Sequence, residues 1–104
     1  MYTYDKINIE ELIRQKEMIP SCLEVAYYVL PKYCDPPESY QISDHCRKEA
    51  LAEVATVVCR LHIGKTKNSL MDDLWNINIL CCMNPLPKKA VYKIVEEVYD
   101  RERQ

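Results

Sequence analysis

Glycine occurs once and phenylalanine not at all among the 104 residues. A single glycine excludes architectures built on many tight β-hairpins, which draw on glycine for turns at positive φ, and it excludes glycine-rich phosphate loops of the Walker or Rossmann kind. Without phenylalanine, eight tyrosines and one tryptophan must supply the aromatic volume of any core. The first seventeen residues, MYTYDKINIEELIRQKE, mix charged with apolar residues and contain no apolar run, and no later stretch approaches the roughly 20 apolar residues of a membrane span. We therefore expect a cytoplasmic protein with no membrane contact. In a reducing compartment the six cysteines (Cys22, Cys34, Cys46, Cys59, Cys81, Cys82) read as free, mostly buried thiols rather than as a disulfide framework.

What is present points to one small helical domain. Hydrophobic residues make up 48% and charged residues 29%, enough for one modest core and too much apolar content for disorder. Asn8 followed by Glu10 and Glu11, with Ile7, Leu12 and Ile13, fits a short first helix. Ser21 and Glu24 have capping-box spacing, and Cys22, Val25, Ala26, Val29 and Leu30 recur at helical intervals up to Pro31. The run VAYYVL is also rich in β-formers, which leaves a strand open for residues 22–30. The segment PKYCDPPESYQIS carries three prolines and reads as an extended loop, dividing residues 1–43 from 44–104.

Three helices follow. From Asp44 as cap to His62, residues Ala50, Leu51, Val54, Ala55, Val58 and Leu61 trace one apolar face, and Gly64 stands where a left-handed C-cap is expected. A helix over 69–83 opens on a Ser69 to Asp72 capping box, with Leu70, Leu74, Ile77 and Cys81 inward; of the adjacent Cys81 and Cys82, one is expected in the core and the other semi-exposed. A last helix over 88–101 starts behind Pro87 and buries Val91, Ile94, Val95 and Val98, with a polar tail from Asp100 that frays. The fold expected is all-α, a single small domain of four to five helices, packed around Leu51, Val54, Val58, Leu70, Leu74, Ile77, Val91, Ile94 and Val98.

Catalytic and metal chemistry find little footing. Cys59 and His62 share a helix face, but a tetrahedral zinc site needs four ligands and the chain has no CxxC pair and no second Cys/His pair at finger spacing. Asp72 and Asp73 suit a helix N-terminus better than a general acid and base pair. No metal, no cofactor and no enzymatic activity are expected. Charge is more informative: residues 1–43 carry seven acids and four bases, whereas the stretch from Arg60 to Lys93 carries six bases and two acids. Lys88 and Lys89 open a helix, where cations oppose the macrodipole. If the starts of the last two helices meet, Lys65, Lys67, Lys88 and Lys89 form an anion-attracting patch. The overall net charge of −2 argues against avid, sequence-independent duplex binding.

Asn78, the Pro85-Leu86-Pro87 turn, and then Val91, Ile94 and Val95 within NINILCCMNPLPKKAVYKIVEEVY give this part of the chain its most distinctive look. It resembles the small helical domain that follows the catalytic core in archaeo-eukaryotic-type primase-polymerases and in plasmid or phage replication proteins, the primase C-terminal domain. The resemblance covers about half the chain, residues 47–99, and Ala90 stands where that family usually has an acid. It implies a helical module of a mobile genetic element, a phage or a conjugative transposon, that assists DNA replication by touching single-stranded DNA or a replication protein without making primers. The alternative is a phage- or transposon-encoded adaptor or inhibitor that binds protein through its aromatic surface and touches no nucleic acid. A helix-turn-helix over RLHIGKTKNSLMDDL ranks third, because Asp72 and Asp73 on its second helix would face phosphates.

Overall fold

The computed structural model describes residues 21–61 and 66–102. Among them lie four α-helices, α1 (Cys22–Val29), α2 (Arg47–Leu61), α3 (Lys67–Cys81) and α4 (Lys88–Glu102), and no extended strand. They form one small all-α domain. The short helix expected after Asn8, and His62, Gly64, Lys65, Arg103 and Gln104, lie outside the described residues.

Helix α1 starts as its capping box dictates. Ser21 Oγ accepts from the Glu24 N–H at 3.2 Å and Glu24 Oε1 accepts from the Ser21 N–H at 3.1 Å. Cys22, Val25, Ala26 and Val29 are buried at helical spacing, which settles residues 22–29 as helix rather than strand. Pro31, with no N–H to give, shifts the chain into a 3-10 turn over Leu30–Tyr33. The proline-rich segment beyond is more folded than the extended loop expected of it. It holds a second 3-10 turn, Pro37–Ser39, because the φ that proline imposes suits such a turn as well as an extended chain. Ile42 is then stitched between Cys34 and Cys82 by two isolated β-bridges. The Ile42 N–H donates to Cys81 O at 2.7 Å and the Ser43 N–H to Tyr33 O at 3.1 Å.

Four helix ends differ from the sequence reading. Asp44 does not cap α2: its Oδ2 accepts from Asn84 Nδ2 at 3.0 Å, and Asp44–Cys46 form a 3-10 turn leading into the helix at Arg47. The cap of α3 is Thr66, whose hydroxyl accepts from the Ser69 N–H at 3.1 Å, so the helix begins two residues before Ser69. It ends at Cys81, where Cys82 turns extended to pair with Ile42; both thiols are thereby buried, against the expectation of one inside and one half out. The C-terminal residues 100–102 do not fray, since Asp100, Arg101 and Glu102 all reach neighbouring helices.

All nine residues expected to build the core are buried, joined by Val25, Val29, Leu30, Ile42 and Leu86. Helices α2 and α4 run parallel, since Lys48 and Glu49 face Ala90 and Lys93 across a shared groove at one end while Arg60 meets Glu102 at the other. Helix α3 lies antiparallel to α4, its start at Asp100 and its Asn78 at Leu86. No helix among the described residues is long and apolar enough to cross a membrane.

Candidate interaction surfaces

The antiparallel packing of α3 and α4 separates the lysines expected to converge. Lys67 Nζ lies 3.2 Å from Asp100 Oδ1 and 5.5 Å from the ring centre of Tyr99, near the C-terminal end of α4. Lys88 and Lys89 open that same helix twelve residues earlier, about 18 Å away at 1.5 Å per residue. The starts of α3 and α4 therefore do not form one patch, and Lys65 is outside the described residues.

A different pair of helix starts does meet. Because α2 runs parallel to α4, Arg47 and Lys48 share one end of the molecule with Lys88, Lys89 and Lys93. Among the described residues Lys32, Arg60, Lys67 and Arg101 each have a carboxylate partner, whereas Arg47, Lys48, Lys88, Lys89 and Lys93 form no ion pair. Among the described residues, every Lys or Arg without an ion pair thus sits at this one end.

The backbone beneath the lysines is firmly held. Asn78, fully buried, donates through Nδ2 to Leu86 O and accepts at Oδ1 from the Leu86 N–H, both at 2.9 Å. One side chain so satisfies both backbone groups of the residue between the two prolines, which gives the Asn and Pro-Leu-Pro pattern a structural role. Arg47 donates through Nε to Asp44 O at 2.8 Å and through Nη1 to Asn84 O, tying the same loop to the start of α2. Pro87 O then accepts from the Ala90 and Val91 N–H groups and starts α4.

Between α2 and α4 runs a groove of about 380 Å³ with an apolar floor, Ala52, Ala90, Ile94 and Val98, and charged walls that include Lys48, Lys93, Glu49 and Glu97. Tyr92 stands half exposed beside Lys88 and Lys89, and among the described residues its ring has no aromatic or hydrogen-bonding partner. Other tyrosines are engaged: Tyr33 donates its hydroxyl to Glu53, Tyr27 meets Tyr40 edge-on at 5.2 Å, and Tyr99 lies under Lys67. Burial, and then the Glu53 carboxylate, push the Tyr33 phenol up.

A second, apolar surface lies on another flank. Leu23 of α1 with Trp75, Ile79 and Leu80 of α3 line a groove of about 630 Å³, and Met83 beyond it is 76% exposed. The thiols offer less chemistry. Burial pushes Cys34 and Cys82 up to about 11 and raises Cys81 as well, so these thiols stay protonated and weakly nucleophilic at neutral pH. No group of three or more His, Cys, Asp or Glu residues among those described could hold a metal ion. Neither a protein-family model, a curated protein nor a solved structure matches the chain.

Sequence reasoning found Lys88 and Lys89 but missed Arg47, Lys48, Lys93 and Tyr92 as their companions. The one signal for Lys93 and Tyr92 was the acid-free run Lys88 to Lys93, three lysines and a tyrosine in six residues, followed by Glu96 and Glu97; no local pattern pointed to Arg47 and Lys48.

Proposed function

We propose that this chain is a non-enzymatic interaction module that recognises a polyanionic partner through the end of the bundle carrying Arg47, Lys48, Lys88, Lys89 and Lys93. The observation that carries the reading is that, among the described residues, the bases without an ion pair are segregated to that end of a chain whose net charge is −2. Four of the five open α-helices, where a cation opposes the dipole at a cost of a few tenths of a kcal/mol or more; the first turn of α2 also holds Glu49, whereas that of α4 holds no acid. An arriving polyanion supplies that compensation and adds contacts to a platform already fixed by Asn78 and Arg47. The resemblance to primase C-terminal domains supports placing the partner in the replication of a mobile element, as a nucleic-acid strand or an acidic replication protein.

Immobilised heparin, an unspecific polyanion, tests this reading. The wild type is retained at low salt and released as salt rises, and the Lys88→Glu/Lys89→Glu variant passes through unretained. Equal passage of both proteins rejects it. The exposed side chains of Leu80 and Met83 favour a second reading, a protein-binding adaptor or inhibitor without nucleic-acid contact. In that case Leu80→Glu with Met83→Glu abolishes the biological effect, and the lysine variant keeps it.

A further inference from the structure

Resting on that reading, we infer that the polyanion is single-stranded nucleic acid and that Tyr92 is the ring on which one of its bases stacks. Tyr92 follows Lys88 by four residues and Lys89 by three, so the three side chains are neighbours on one helix face. Lys93 continues that face round to the groove, and Lys48 stands across it. Glu96 and Glu97 end the basic run, which confines it to the first two turns of α4 and the start of α2. A ring held half open among unpaired ammonium groups offers what a flexible strand requires, a π-face for a base and cations for the phosphates on either side.

Competing polyanions use only part of this arrangement. In a duplex the base faces are already stacked and the Tyr92 ring has nothing to receive. An acidic peptide satisfies the lysines and has no use for the ring.

The measurement is fluorescence anisotropy of a labelled oligothymidylate of roughly 12 nucleotides, within the usual range of single-strand site sizes. With about four phosphates neutralised, log affinity falls against log salt with a slope near −3. Tyr92→Ala weakens binding roughly 5- to 100-fold and leaves the slope unchanged, because it removes stacking and no charge. Tyr92→Phe keeps the ring and retains most of the affinity, which separates stacking from a role of the hydroxyl. Lys88→Glu/Lys89→Glu abolishes binding, and circular dichroism establishes that each variant is folded. If Tyr92→Ala binds as the wild type does, or if heparin and polyglutamate are bound while the oligonucleotide is not, the inference fails and the polyanion reading stands. If none of these probes binds, both fail.

Discussion

The two ends of the parallel pair α2 and α4 use the same kinds of side chain in opposite ways. At the C-terminal end every base among the described residues is engaged: Arg60 with Glu102 at 2.8 Å, Arg101 with Thr56 at 2.8 Å and with Glu102 at 3.2 Å, and Lys67 with Asp100 at 3.2 Å. At the N-terminal end Arg47, Lys48, Lys88, Lys89 and Lys93 have no carboxylate partner. Topology makes the difference. The acid-rich last turns of α4 meet the basic end of α2 and the basic start of α3, whereas parallel packing brings two basic first turns side by side. Charge is internal mortar at one end and outward-facing at the other.

The largest effect is expected where the open end is held together. Replacing Asn78 by Ala leaves the N–H and C=O of Leu86 without partners in a buried site, at a cost of about 2–4 kcal/mol. Asn78→Asp keeps an acceptor for the N–H, loses the donor for Leu86 O and buries a carboxylate, so it is expected to be no milder. Urea denaturation checks both. A loss below about 0.5 kcal/mol, the range of an ordinary surface substitution, means that the Pro-Leu-Pro loop is held by something other than Asn78.

Next in size is alkaline sensitivity. Cys34 and Cys82 have thiols pushed up to about 11 from an ordinary value of 9.0, through burial first, and Cys81 shifts the same way. An acid whose folded pKa is raised holds its proton in the folded state while the unfolded chain has already lost it. The stability it contributes is therefore complete below about pH 9 and is lost as pH rises through about 11. Each such thiol steepens the fall by up to about 1.4 kcal/mol per pH unit in that window. Stability measured between these limits falls in the wild type and falls less steeply in Cys34→Ala. Parallel curves show that the Cys34 thiol is not protected.

How much of this was legible in the sequence follows the range of the interactions. The four described helices, the Ser21 capping box and the nine core positions depend on spacings of three and four residues, and those spacings are written in the chain. Cap choice already failed at Thr66 and Asp44, because two candidates three residues apart, Thr66 and Ser69, compete for one helix start and a distant partner, Asn84, takes the aspartate. The expected lysine patch failed further. Lys67 is opposite in fate to Lys88 only because α3 is antiparallel to α4, and Lys48 shares an end with Lys88 only because α2 is parallel to α4. Both Cys81 and Cys82 are inside because an isoleucine some forty residues earlier pairs with the second of them. No local window carries that information.

At the closed end, removing Glu102 as a charge sharpens the contrast. Hydrogen bonding from Arg60, and then from Arg101, holds its carboxyl below the usual carboxylate range. Glu102→Gln breaks the ion pairs to both and is expected to lower stability by about 0.5–1 kcal/mol, the scale of an exposed pair with one well-covered partner. Because that carboxyl titrates below its unfolded value, its stabilisation is present at neutral pH and lost on acidification. The wild-type advantage over Glu102→Gln therefore shrinks as pH falls through the carboxylate range, and a constant difference at all pH values excludes the ion pairs as its source.

The smallest effect has the opposite sign, and for that reason it discriminates best. Lys88→Glu and Lys89→Glu place carboxylates in the first turn of α4, where the helix dipole favours them, and each is expected to raise stability by about 0.3–1 kcal/mol. Neither substitution breaks an ion pair within the protein. The neighbouring Arg47, Lys48 and Lys93 add attraction for the new charges, screened by salt, so the gain is largest at low ionic strength. The same variants are expected to lose polyanion binding altogether. Stability up and binding down in one protein means that the lysines are kept for a partner at the expense of the fold. If thermal unfolding instead shows the variants weakened, the lysines hold the helix pair together, the two ends are electrostatically alike, and the open end loses its claim as the binding surface.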